Sequence, residues 1–145
     1  MYYAKRDTTA TWNLVSGYNN TLLEVFSAGP TQDIDAATRF GDKLDGGGML
    51  YLLKNNKAWE FSLTMYTTHF QADFVREFDI MTLGDNNPFK PHSGNDSPPP
   101  DGITALHMSS GGQHTIAFVG DIMYMQDHTD GNWANEGRVF CPQSG

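Results

Sequence analysis

The segment 57–65, Lys-Ala-Trp-Glu-Phe-Ser-Leu-Thr-Met, constrains the fold more than any other part of the chain. Trp59, Phe61, Leu63 and Met65 fall on one side of an extended strand, and Ala58, Glu60, Ser62 and Thr64 on the other. Successive side chains of a strand point to opposite faces, so the pattern predicts a sheet with one buried and one wetter face. The pattern then changes. Phe70, Phe74 and Phe78 recur every four residues, with Val75 and Met81 nearby, which predicts a helical stripe. Thr67 or Thr68 would cap this helix, placed over about 69–83, and Gly84 would end it. The expected fold class is therefore mainly β with one packed α-helix, in a single domain of 145 residues.

Further strands are expected at 8–15, 21–27 and 49–53, the last forming a hairpin with 57–65 through Lys54, Asn55 and Asn56. Strand patterning resumes at 103–108, 113–119 and 121–126. Thr115, Ala117 and Val119 oppose Ile116 and Phe118 in the second of these runs. Between the early strands, 28–48 is a charged segment with Ile34, Phe40 and Leu44 interspersed, closed by Asp45-Gly46-Gly47-Gly48. It reads as a short helix over 33–39 or as a long polar β-excursion. Segments of that length inside compact domains are usually functional or ordered against a partner. The Pro-rich stretch 85–102 reads as a loop or extended arm, and the tail 127–145 as Gly-, Asn- and Asp-rich loop around Trp133.

Seventeen acids against nine Lys plus Arg give a net charge of −8. Direct phosphate binding needs clustered cations, so that balance disfavours it. It suits a negatively lined channel past which DNA slides without adhering. No apolar run approaches the roughly 20 residues that cross a bilayer, and the first residues lack the apolar core of a signal peptide. The expectation is a protein made and assembled in the cytoplasm. Cys141, the single cysteine, cannot form an internal disulfide and reads as an inert thiol, or else as an intersubunit or reactive one.

Candidate chemistry is sparse. His69, His92, His107, His114 and His128 lack the close pairing of zinc ligands, although His107 and His114 are placed to meet across a hairpin. Asp127-His128-Thr129-Asp130-Gly131-Asn132 resembles an oxygen-rich calcium loop but has neither EF-hand spacing nor a terminal Glu, and fits an ordinary turn. Asp45-Gly46-Gly47-Gly48 has no P-loop continuation, and Ser109-Ser110-Gly111-Gly112 before His114 is not a nucleophile elbow. Asp33, Asp35, Asp42 and Asp45 suit paired acids or a metal cluster; such runs are more often a solvated face or partners for cations on a neighbouring copy. Trp59 belongs to the core by its alternation, which leaves Trp133 as the tryptophan free for a contact.

The order of parts from Gln32-Asp33-Ile34-Asp35 through Arg39-Phe40-Gly41-Asp42 and Asp45-Gly46-Gly47-Gly48-Met49, followed by strand 57–65 and helix 69–83, resembles tail tube proteins of contractile-tailed (myovirus-like) phages. The resemblance spans about residues 9–126 and departs at the Pro-rich insert 88–100 and in the tail. It implies a β-sandwich or split barrel flanked by one helix, assembled into hexameric rings that stack around a DNA-conducting channel. It further implies that Asp33, Asp35, Arg39, Asp42, Lys43 and Asp45 make intersubunit pairs. The implied partners are identical subunits, the tail sheath and other tail proteins. DNA would pass without specific binding, and no membrane, cofactor, metal or catalytic residue is implied. The place would be the virion tail. Two alternatives stay open: another virion role, as capsid decoration or head–tail connector, and a ligand-binding or hydrolytic β-domain using Trp133, His114 and His128.

Overall fold

The computed structural model describes residues 4–6, 12–14, 26–30, 32–40, 48–65, 70–82, 87–89, 97–108 and 114–139. Their elements are ten strands and, among the described residues, no helix. A short pair, β1 (Ala4–Arg6) and β2 (Trp12–Leu14), is antiparallel. Sheet I is ordered β3 (Ala36–Phe40), β4 (Gly48–Lys54), β5 (Lys57–Met65), β6 (Phe70–Asp79). Sheet II is ordered β10 (Trp133–Arg138), β9 (Ile122–Asp127), β8 (His114–Val119), β7 (Ala105–Met108). All pairings within both sheets are antiparallel.

The hairpin expected at Lys54-Asn55-Asn56 forms, with Lys54 opposite Lys57. Asn55 and Asn56 have φ of 50° and 64°, the left-handed pair that a two-residue turn needs to match the strand twist and that asparagine tolerates. The strands expected at 103–108, 113–119 and 121–126 are present within a residue or two as β7, β8 and β9. Of the strand expected at 21–27, residues 21–25 lie outside the described residues; Phe26 makes a single parallel bridge to Ala72.

The helix expected over 69–83 is not formed, because residues 70–79 are strand β6. A four-residue spacing is an even number, so it places Phe70, Phe74 and Phe78 on one side of a strand as readily as on a helix. The discriminating signal was the polar residues between them, Gln71, Asp73, Glu77 and Asp79, at period two. The alternation does not run straight through. Glu60 pairs with Arg76 and Phe61 with Phe74, which leaves Val75 as the extra residue of a bulge. Ala72 and Phe74 thus share the face of Phe61, whereas Arg76 and Phe78 lie on the face of Glu60.

Sheet I has two buried faces, where one wetter face was expected. Its inner face contributes Tyr51, Leu53 and Ala58 to a core completed by Leu106, Met108, Ala117 and Trp133 of sheet II and by Ile80, Phe89 and Ile103. Tyr51 meets the rings of Phe78 and Phe89 edge-on at 6.3 and 5.6 Å. On the outer face, Leu52, Phe61 and Ala72 are covered by Phe26 and Ile34 from the strap before β3. Gly29 in this strap has φ of 99°, and a Cβ there would stand 3.2 Å from Cγ of Trp59, so only glycine allows the close approach.

Of the two expectations for 28–48, neither a helix at 33–39 nor a detached excursion is seen in the described part. Residues 36–40 are β3, paired with β4 from Ala36–Leu53 to Phe40–Met49. The edges of the two sheets meet where the Met108 amide donates to Thr38 Oγ1 at 3.1 Å. At the other ends, β6 and β10 are the outermost strands. The Pro-rich stretch is tied down where it is described: Phe89 and Pro99 are fully buried, and the Ser97 amide donates to Asn132 Oδ1 at 3.1 Å.

Candidate functional site

Three features stand out on the surface of this sandwich. The first is β6, an outermost strand of ten residues that exposes Phe74 by 42% and Val75 by 48%. Lys57 Nζ pairs with Glu77 at 2.6 Å beside it, and this hydrogen bond holds the Glu77 carboxyl below the usual range and Lys57 above its own. The second is the outer face of sheet II. Thr115, Ala117 and Gln126 are fully buried toward the core, so their strand neighbours Ile116, Phe118, Met123 and Met125 occupy the opposite face in cross-strand pairs, all only half-buried.

The third is a cavity of about 360 Å³ at one end of the sandwich. Leu53, Ile80 and Ile103, each at most 5% exposed, lie beneath it, and Asp35, Asn55, Asn56, Asp101 and Thr104 form its polar rim. The hairpin tip builds the rim. The Asn55 amide donates to Asp35 Oδ2 at 2.8 Å, and Asn56 Nδ2 donates to Asp101 Oδ1. The Ile80 amide donates to the Asn56 carbonyl at 2.9 Å, fixing the end of β6 to the same turn. The sequence signal for this site was the Asn-Asn turn itself and the strand pattern that begins at Ile103; Asp101, in the Pro-rich stretch, had none.

The expected interface residues separate. Asp33 lies 3.9 Å from Lys54 Nζ, which also donates to the Gln32 carbonyl. Asp35 holds the hairpin tip, and Arg39 is exposed on β3. Asp42, Lys43 and Asp45 lie outside the described residues, as does Cys141.

Trp133 is a core residue of β10, 5% exposed, whose Nε1 donates to the Phe89 carbonyl at 2.9 Å; the loop contact expected of it is overturned. Of the tryptophans whose burial is described, Trp59 is the partly exposed one, packed against the core cluster of the outer face. His107 stands opposite Ile116 and His114 opposite Asp127, so strand register does not pair the two histidines. His128 Nε2 is 2.6 Å from Oγ1 of fully buried Thr115. Asp127 and Asp130 turn their carboxylates onto the amides of Thr129 and Asn132, the arrangement of an ordinary turn. The Thr129 amide and hydroxyl, and more weakly His114 and His128, hold the Asp127 carboxyl below its usual range. Among the described residues, no group of three or more His, Cys, Asp or Glu is placed to hold a metal ion.

No protein-family model matches the chain, and no curated protein matches its sequence.

Proposed function

We propose that this protein is a self-assembling structural subunit, and specifically a tail tube subunit of the contractile-tailed phage type, with stacked rings of identical copies around a DNA-conducting channel. The observation that carries the reading is apolar surface left over after the core is complete. The inner faces of both sheets are spent on one core, yet Phe74 and Val75 on β6 and the Ile116, Phe118, Met123, Met125 face of sheet II remain accessible. Such surface marks contact sites on soluble domains, and an outermost strand invites pairing with another chain where its edge is open, which on β6 excludes Ala72, already bridged by Phe26. The net charge of −8 suits a lumen that repels DNA.

The fold alters how the copies would touch. Because β3 is used inside the subunit, an arm built from 28–40 is not free to reach a neighbour, which argues against that part of the resemblance. Contact is assigned instead to β6 and the outer face of sheet II. A capsid-decoration or connector subunit would use the same surfaces in a different symmetry. Negative-stain electron microscopy with sedimentation velocity tests the proposal: rings or tubes growing with concentration are expected. A monodisperse monomer across micromolar to millimolar concentration would sink it.

A further inference from the structure

Asp101-Gly102 and Asp130-Gly131 are the same dipeptide in two different settings. Aspartate before glycine is open to one intramolecular reaction above other pairs, because glycine has no side chain to keep its amide nitrogen from the preceding carboxyl. The two glycines share a backbone conformation, with φ of 74° and 77°. What differs is how each is held. Gly131 is buried, and its amide donates to the Asp127 carbonyl at 2.7 Å. Asp130 Oδ1 accepts from the Asn132 amide at 2.9 Å, which turns that carboxyl past Gly131. Gly102 is exposed, and among the described residues its amide donates no hydrogen bond. A Cβ built on it would meet nothing within 4 Å. Asp101 is exposed as well, with its carboxylate held by the Asn56 side chain. Both residues line the cavity of about 360 Å³, which has room for water.

We infer that Asp101-Gly102 is a site of spontaneous aspartate isomerisation, and that the fold protects Asp130-Gly131 from the same reaction. The Gly102 amide nitrogen attacks Cγ of the neutral Asp101 carboxyl. A bond forms between that nitrogen and Cγ, and the amide proton leaves with the carboxyl hydroxyl as water, closing a five-membered cyclic imide. No atom is oxidised or reduced. Water then adds to one of the two imide carbonyls. Opening at Cγ restores aspartate. Opening at the main-chain carbonyl breaks its bond to the Gly102 nitrogen and leaves isoaspartate, in which the main chain runs through Cγ. The chain thereby gains one carbon between Pro99 and Ile103, both buried, and the free carboxyl sits directly on Cα. The contact with Asn56, which ties this segment to the β4–β5 hairpin, is lost in the product.

Mass spectrometry of peptides from the 145-residue chain, aged at neutral pH in heavy-oxygen water, reads the reaction. Each imide opening leaves one heavy oxygen in the peptide, whichever carbonyl is attacked. Label and isoaspartate are expected at Asp101 at least about tenfold faster than at Asp130, the factor that opening the Gly131 hydrogen bond imposes. In the guanidinium-unfolded chain neither amide is held, so the two rates should agree within about a factor of three. Equal rates in the folded chain, faster reaction at Asp130, or a tenfold gap that survives unfolding would overturn the inference. The comparison is made within one unaltered chain, so it does not depend on a variant that folds.

Discussion

The Arg76 guanidinium donates to the carboxylate of Glu60 across the β5–β6 pair, on the inner face of sheet I, and lies 4.6 Å from the centroid of the Phe78 ring. Glu60 is 6% exposed and also accepts from the hydroxyl of Tyr51, whose ionisation is suppressed by burial first and by that carboxylate second. The bulge at Val75 makes this possible, because without it Arg76 would fall on the opposite face from Glu60. A buried pair contributes little over an apolar pair of similar size, but losing one partner leaves the other charge uncompensated. With Arg76 a third exposed and Tyr51 still donating to Glu60, Arg76→Met is expected to destabilise by about 1–2 kcal/mol, and the double variant Glu60→Met/Arg76→Met by less than the sum of the two single losses. Urea unfolding midpoints check this; a double variant that loses the sum of the two single losses would refute the coupling.

Trp133 and Gln126 converge on one backbone segment. Trp133 Nε1 and Gln126 Nε2 both donate to the Phe89 carbonyl, at 2.9 and 3.2 Å, and Gln126 Nε2 also reaches the Pro88 and Gly131 carbonyls. They lie opposite each other in the β9–β10 pair, so one cross-strand pair clamps the 87–89 segment over the core. Trp133→Phe keeps most of the packing and removes one donor while Gln126 still satisfies the carbonyl, so a loss of about 1 kcal/mol is expected. Trp133→Ala adds a cavity and should remove about 3–5 kcal/mol. Equal losses in the two variants, measured by thermal or urea unfolding, would show that the indole nitrogen rather than the ring is what matters.

How far the sequence carried depends on whether a residue's partner was local. The β4–β5 hairpin was legible because Asn55 and Asn56 state their backbone conformation in their own chemistry. Alternation separated Thr115 and Ala117 from Ile116 and Phe118 but did not say which set turns inward; the core takes Thr115 and Ala117. β6 was misread because its phenylalanine spacing satisfies two periodicities at once, and the bulge at Val75 broke the alternation that would have decided between them. β10 was missed since Ala134, Asn135 and Glu136 face solvent and only Trp133 turns inward, which leaves a strand with almost no apolar pattern. The cavity at the hairpin tip was invisible because its rim joins Asp35, Asn56 and Asp101, residues far apart in the chain that only the meeting of the two sheets brings together.

Stability should depend on acid through Asp127. Its folded-state pKa is depressed, chiefly by the Thr129 amide, which donates to Oδ1 at 2.7 Å. A depressed carboxylate contributes stability above its unfolded pKa of about 3.9, and that contribution is lost as pH falls through the lower folded value. Asp127→Asn keeps an acceptor but not the charge. The melting temperature of the parent chain should therefore exceed that of the variant near pH 6, with the gap closing below about pH 4. A gap that is constant from pH 6 to pH 2.5 would remove the carboxylate's ionisation from the account.

Val75 separates folding from assembly. As the extra residue of the β6 bulge it is 48% exposed, and it belongs to neither core cluster. Val75→Lys should leave monomer stability within about 0.5 kcal/mol, as for ordinary surface substitutions. An inserted cation on an outermost strand opposes pairing with another chain. In sedimentation velocity the variant is expected to shift toward monomer at concentrations where the parent chain assembles, with unchanged urea unfolding of the dissociated protein. Assembly that persists undiminished would move the contact away from β6, and Met123→Lys on the outer face of sheet II would then be the variant that dissociates it.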